Sequence, residues 1–148
     1  MTATVKIETY AEDLPCWKTG ASSPDTWLEK AKREIDRAGG EVLAELFGNQ
    51  DSLAAFVIRF TLEGDTFNII WPVAQPKKEG EESAAKRQAA TLLYHDIKAR
   101  CVSARIRGAR TAFFADLVLP GGRVASEVSA PELMQRVPKM LTAPEERE

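Results

Sequence analysis

Apolar and polar positions alternate through the middle of this chain and then give way to a helical rhythm. Phe56, Ile58, Phe60 and Leu62 alternate with Val57, Arg59, Thr61 and Glu63, the period of two of a half-buried strand. Before them, Val42, Ala44 and Leu46 alternate with Leu43, Glu45 and Phe47, and Gly48-Asn49 marks a turn. After them, Gly64-Asp65 leads tightly into Phe67, Ile69 and Trp71, and Pro72 ends that strand because proline has no ladder amide. Three consecutive strands with short turns predict an antiparallel meander. A weaker alternation of Val5, Ile7 and Thr9 with Lys6, Glu8 and Tyr10 predicts a strand ahead of the meander. Ala112–Leu119 predicts a fourth strand behind it, with Phe113, Ala115, Leu117 and Leu119 on one face and Phe114, Asp116 and Val118 on the other. Pro120-Gly121-Gly122 then turns the chain so that residues 123–127 can pair back as a short strand.

Two longer helices separate these runs. Ser22-Ser23-Pro24 opens the first, a serine cap followed by a proline whose fixed φ suits the first turn. Leu28, Ala31, Ile35 and Ala38 come next at helical spacing, and Gly39-Gly40 ends the helix. The second runs from Ser83 to Arg107 with the stripe Ala90, Leu93, Ile97, Cys101 and Ala104, and Gly108 stops it. Ser129-Ala130-Pro131-Glu132 has capping-box spacing and predicts a short third helix to Val137. The expected fold is α+β: an antiparallel sheet of four to five strands with two or three helices packed on one face, in the order β-α-β-β-β-α-β-(β)-α. At 148 residues, the chain is expected to be a single domain spanning residues 1–148. Residues 75–82, carrying Lys77, Lys78 and three glutamates, are expected to be a mobile charged loop, and residues 142–148 a frayed tail.

Composition narrows the class of protein. No apolar run approaches the roughly 18–20 residues that span a bilayer, and no signal peptide is visible at the start, so no membrane partner is expected. Cys16 and Cys101 are far apart and lack CxxC spacing, which points to reduced thiols and a cytoplasmic setting. His95 is the only histidine, too few for a usual Cys/His zinc set. Neither a metal nor a cofactor is expected.

Charge is distributed unevenly. Residues 83–110 carry Lys86, Arg87, Lys98, Arg100, Arg105, Arg107 and Arg110 against one acid, Asp96, a net +6. Residues 1–82 carry −6 and residues 111–148 carry −2. A concentrated positive field attracts polyanions. At about 100° per residue, Arg87, Lys98 and Arg105 project within roughly 20° of one another, with Thr91 and His95 beside them. The second helix is therefore predicted to dock on the sheet and present a basic ridge to phosphates, with Lys86, Arg100, Arg107 and Arg110 nearby. The competing expectation is a solvated face whose cations offset the acidic first half. Phe47, Trp71, Phe113, Phe114 and Tyr94 could stack on bases, but their strand patterning favours core packing for most. Trp17, beside Lys18 in a polar loop, is either a stacking residue or a lid on the core.

Catalytic constellations are sparse. His95 and Asp96 are helix neighbours whose side chains diverge by about 100°. There is no nucleophile elbow, P-loop, dinucleotide fingerprint or zincin motif. Asp96-Ile97-Lys98 has the form of a nuclease triplet, but on a helix and without its strand acid. Glu45 and Asp116 are the remaining carboxylates that neighbouring strands could offer to Mg²⁺. An enzyme is not the expectation, and none of these residues has a catalytic partner in the sequence.

Three segments carry a resemblance. Arg87-Gln-Ala-Ala-Thr-Leu-Leu-Tyr-His-Asp-Ile-Lys-Ala-Arg100, Phe113-Phe-Ala-Asp-Leu-Val-Leu-Pro-Gly-Gly-Arg-Val124 and Pro138-Lys-Met-Leu141 are similar to a family of uncharacterised phage and mobile-element proteins. That family has a long helix with an Ile-Lys-Ala core, an aromatic strand ending in Leu-Pro-x-Gly, and a Met-Pro-like tail; here Pro138 precedes the methionine. By element order the chain also resembles Rad52-like single-strand annealing proteins and the double-stranded RNA-binding domain. The resemblance implies no catalytic residues. The expectation is a small accessory nucleic-acid-binding protein of phage or mobile-element type, for single- or double-stranded nucleic acid. The alternative is a non-enzymatic protein-interaction or structural module whose basic helix meets an acidic protein partner or another subunit of a homo-oligomer.

Overall fold

A computed structural model describes residues 9–50 and 53–127, apart from the side chains of Asn49 and Gln50. The fold is α+β. Strands β1 (Glu41–Gln50), β2 (Leu53–Leu62) and β3 (Asp65–Pro72) form an antiparallel sheet in the order β1-β2-β3. Helices α1 (Pro24–Arg37) and α2 (Glu82–Arg107) cover one face of it, and a single-turn helix, α3 (Ala109–Ala112), comes after α2.

Local chemistry fixes the element ends. Ser23 caps α1, its hydroxyl accepting from the Thr26 amide at 3.3 Å, and Pro24 occupies the first helical position. Gly39 closes α1 at φ 95°. Gly40 then lies so close to Thr61 and Ile35 that an added Cβ would sit 2.7 Å from the Thr61 carbonyl oxygen. Only glycine lets the chain turn against the sheet at that point. Between β2 and β3, Glu63 and Gly64 both have positive φ, 53° and 85°. That is the two-residue hairpin turn whose twist matches its strands. The Glu63 carboxylate also accepts from the Ala109 amide at 3.1 Å, at the start of α3.

The core lies between sheet and helices. Phe56, Ile58, Phe60, Phe67 and Ile69 project from the sheet onto Leu28 and Ile35 of α1 and onto Leu93, Ile97, Cys101 and Ala104 of α2, and all are buried. Phe60, Phe67 and Phe113 form an aromatic trio with ring centroids 5.1–5.5 Å apart. α1 and α2 run in the same direction: Trp27 meets Tyr94 and His95, and ten residues later the Arg37 carbonyl meets Arg105. A smaller cluster of Ala11, Ala74 and Ala85 seats the N-terminal turn, and Trp17 packs on it as a lid.

Several expectations need correction or limit. The sheet has three strands among the described residues, not four or five. Ala112–Leu119 is not a fourth strand: α3 is succeeded by a 3-10 turn at Phe114–Asp116, then by single bridges, Phe67 to Leu117 and Val118 to Val124. The alternation that suggests a strand conceals a helical spacing, because Phe113 and Leu117 are four apart and both buried, whereas Ala115 is exposed. Residues 125–127 form another 3-10 turn after the Val124 bridge, in place of a return strand. In β1 the register shifts between Val42 and Ala44. A bulge of this kind inverts the facing of the residues beyond it. Val42 therefore turns to the core side, while Ala44 and Leu46 turn to the open side. The predicted strand at residues 5–10, the helix at residues 129–137 and the tail at residues 142–148 lie outside the described residues, save Thr9 and Tyr10, which are not in a strand. Residues 75–82 are bonded to the N-terminal turn: the Gln75 carbonyl accepts from Ala11, and the Lys77 amide donates to Glu12.

Candidate nucleic-acid interface

The seven cations assigned to a basic helix separate into distinct environments. Two are bound within the fold. The Arg100 guanidinium donates to Asp96 at 3.0 Å and to Asp116 at 2.8 Å while lying 4.7 Å from the Phe113 ring centroid. Arg110 grips Asp65 through two bonds of 2.9 Å, and this pairing raises its pKa above the ordinary value. Burial pushes the Asp116 carboxyl upward, and Arg100 opposes that push. These contacts lock the segment after α2 onto both the helix and β3.

Lys86 occupies a third setting. Its ammonium sits 4.0 Å above the Phe47 ring, on the wall of a cleft of about 350 Å³ that Phe47, Val73, Pro76 and Ser83 also line. The remaining four, Arg87, Lys98, Arg105 and Arg107, make no ion pair with another described residue. Arg87 is half-buried, and Lys98, Arg105 and Arg107 are exposed. The ridge of Arg87, Lys98 and Arg105 spans about 27 Å along α2 at the helical rise. Arg105 leans across to donate to the Arg37 carbonyl at 3.1 Å, so the C-terminal ends of both helices share its charge. Thr91 does not serve the ridge as expected, because its hydroxyl donates back to the Arg87 carbonyl at 2.8 Å.

Beside Lys98 the structure assembles residues that sequence reasoning keeps apart. Trp27 of α1 packs against Tyr94 and His95 of α2, with centroids 5.4 and 5.8 Å away. Lys30 lies 4.5 Å over the Trp27 ring and Lys98 lies 5.9 Å over Tyr94. Three rings and two ammonium groups thus form one aromatic and basic cluster across the α1–α2 surface. Trp27 stands three residues before Lys30 on a helix, a spacing visible in the sequence. Its partnership with Tyr94 requires the parallel docking of the two helices. Val102 and Ile106, exposed at 51% and 79%, lie near the C-terminal end of α2, on the side away from the Leu93–Ile97–Cys101 stripe, so helical spacing places two aliphatic residues on the surface.

Other candidates resolve into structural roles. His95 faces the aromatic cluster while Asp96 pairs with Arg100, so the two do not act together. Glu45 is held by Lys32 at 2.8 Å and Asp116 by Arg100, which leaves each carboxylate neutralised by a cation. Among the described residues no group of three or more His, Cys, Asp or Glu could hold a metal ion. Phe47 and Trp71 pack with the sheet, and Phe113 is fully buried. Gln88 escapes the sequence reading: buried on the side of α2 opposite the Leu93–Ile97 stripe, it donates to the Ala11 and Pro15 carbonyls at 2.8 and 3.0 Å and ties the N-terminal turn to the helix. Cys16 and Cys101 are free thiols, and Cys101 is buried between α1 and α2. No helix of the described residues is long and apolar enough to cross a membrane. No family model, curated protein or solved structure matches the chain.

Proposed function

We propose that this is a small cytoplasmic accessory protein, of phage or mobile-element type, that binds nucleic acid through the α1–α2 surface. The observation that carries the reading is the aromatic and basic cluster of Trp27, Lys30, Tyr94, His95 and Lys98, continued by Arg105. Lysine and arginine without carboxylate partners contact phosphates at little desolvation cost, and half-exposed rings offer faces on which bases stack. Stacking is open to unpaired bases, so the cluster favours single strands. Binding is largely independent of sequence, because phosphate and π-face contacts carry no base code. Arg87 extends the contact along α2, Lys86 extends it toward the cleft, and Arg107, about 200° round the helix from Arg105, joins only at the C-terminal end. Arg100 and Arg110 support the surface from behind through their aspartates.

The test is fluorescence anisotropy with a labelled oligonucleotide. Lys30→Ala and Lys98→Ala should each weaken binding across all sequences while leaving the melting temperature unchanged. Unaltered affinity in both variants would remove the site from this surface. A second reading draws on Val102 and Ile106: two exposed aliphatic side chains one turn apart, flanked by Lys98 and Arg105, also suit an acidic protein partner. Val102→Ser with Ile106→Ser should abolish that contact and leave oligonucleotide binding intact.

A further inference from the structure

We propose that β1 pairs with β1 of a second copy of this chain, antiparallel about a two-fold axis at Leu46, extending the three-stranded sheet to six strands. The far edge of β3 is partly covered, since the Val118 amide donates to the Thr66 carbonyl at 2.9 Å and Leu117 bridges Phe67. The outer edge of β1 takes no strand among the described residues. This edge is ten residues long and contains no lysine, arginine or proline; of the features that block edge pairing, Glu41 and the Val42–Ala44 bulge are confined to its start, and Glu45 alone stands within the regular part. Leu43, Leu46 and Phe47 stand exposed on it at 51%, 54% and 38%.

The ladder determines which backbone groups face outward. The Val73 amide donates to the Ala54 carbonyl, so the even-numbered residues of β2 bond to β3 and the odd-numbered ones bond to β1. Through the pairs Ala44 with Arg59, Leu46 with Val57 and Gly48 with Ala55, the even residues of β1 point their amides and carbonyls inward. Glu45, Phe47 and Asn49 point theirs toward the free edge. A second β1 can then meet this one with odd residues opposite odd residues.

Charge selects the register. An axis at Glu45 would set two carboxylates directly opposite each other, which is destabilising. An axis at Leu46 sets Glu45 opposite Phe47 of the other copy, whose ring already carries the Lys86 ammonium at 4.0 Å. Each Glu45 then lies between its own Lys32 and the Lys86 of the other copy. On the open face, the cross-strand row Leu46, Val57 and Ile70 becomes continuous with its symmetry equivalent. A two-fold interface of this kind is self-complementary.

Sedimentation velocity of the full chain over a concentration series tests the pairing, with Leu46→Lys as the disrupting variant. The wild type should shift from monomer to dimer. Leu46→Lys should stay monomeric with unchanged circular dichroism, because it sets two ammonium groups together on the axis. Leu46→Cys in a Cys16→Ser background gives an independent readout. Residues facing in a non-bonded antiparallel pair have Cα atoms about 4.5 Å apart, within disulfide reach. Mild oxidation should therefore yield a covalent dimer, whereas Ala44→Cys, placed opposite Gly48, should not. A monomer at every concentration overturns the proposal, even if another segment protects the β1 amides from exchange. A dimer that tolerates Leu46→Lys and fails to cross-link overturns it equally. Neither result depends on nucleic-acid binding.

Discussion

Arg100→Met separates a cation that holds the fold from one that serves a surface. The variant keeps the aliphatic stem over Phe113 and removes the guanidinium from Asp96, Asp116 and the ring. The Asp96 contact is an i, i+4 pair with its carboxylate 34% exposed, and is worth about 0.3–0.5 kcal/mol. The bond to Asp116, with both side chains about four-fifths buried, falls among hydrogen bonds to charged groups at about 1.5–3 kcal/mol. Adding a modest cation–π contribution of about 0.5–1 kcal/mol, the expected loss at neutral pH is about 2–4 kcal/mol. The sign of its pH dependence comes from Asp116. Burial already raises that carboxyl above its ordinary value, and losing Arg100 raises it further. A carboxyl with a raised folded-state pKa favours the folded state below the unfolded-state value and loses that contribution as pH climbs through the folded value. The deficit of Arg100→Met should therefore shrink as pH falls toward about 4. Urea denaturation of wild type and variant at neutral and acidic pH measures both effects. A neutral-pH loss under about 0.5 kcal/mol, the level expected for an exposed side chain such as Lys98, would refute the structural role.

Leu93→Ala should cost about 2–5 kcal/mol in thermal or chemical melts, because it opens a cavity where α2 meets the sheet; an unchanged midpoint would mean that α2 docks by another face. Burial pushes the Cys101 thiol from 9.0 up to about 11. Stability should accordingly fall between those pH values, as the unfolded chain releases a proton that the folded one retains. At about 1.4 kcal/mol per pKa unit the loss is on the order of 2–3 kcal/mol, and Cys101→Ala should flatten that part of the denaturation profile.

The meander and both long helices are legible because each depends on short-range signals. A strict period of two marks β2, Ser23-Pro24 and Gly39 bracket α1, and Gly108 ends α2. The segment after α2 is not legible in the same way. Phe113 and Leu117 satisfy an alternating and a helical pattern at once, and the segment is tied down by Arg100 and Arg110, whose aspartates lie in the Phe114–Asp116 turn and on β3. The β1 bulge is equally silent in sequence, since Val42, Leu43 and Ala44 are all apolar. The ridge is legible as one side of one helix, but its chemistry depends on partners from elsewhere. Helical spacing could not reveal that Arg100 is bound to Asp116, nor that Trp27 brings Lys30 alongside Tyr94.

The salt dependence of oligonucleotide binding tests the central proposal most directly. Each phosphate neutralised by a cation releases condensed counterions, so the logarithm of the binding constant should fall linearly with the logarithm of salt concentration. Lys30, Arg87, Lys98 and Arg105, each on one phosphate, give a slope of about −3 for a single strand and about −3.6 for a duplex. Replacing Lys98 or Arg105 by alanine should flatten it by roughly one unit without regard to sequence. Steep salt dependence with that loss of slope is the expected result. No binding to single- or double-stranded oligonucleotides at low salt would contradict it, and the same cations would then be better understood as facing an acidic protein.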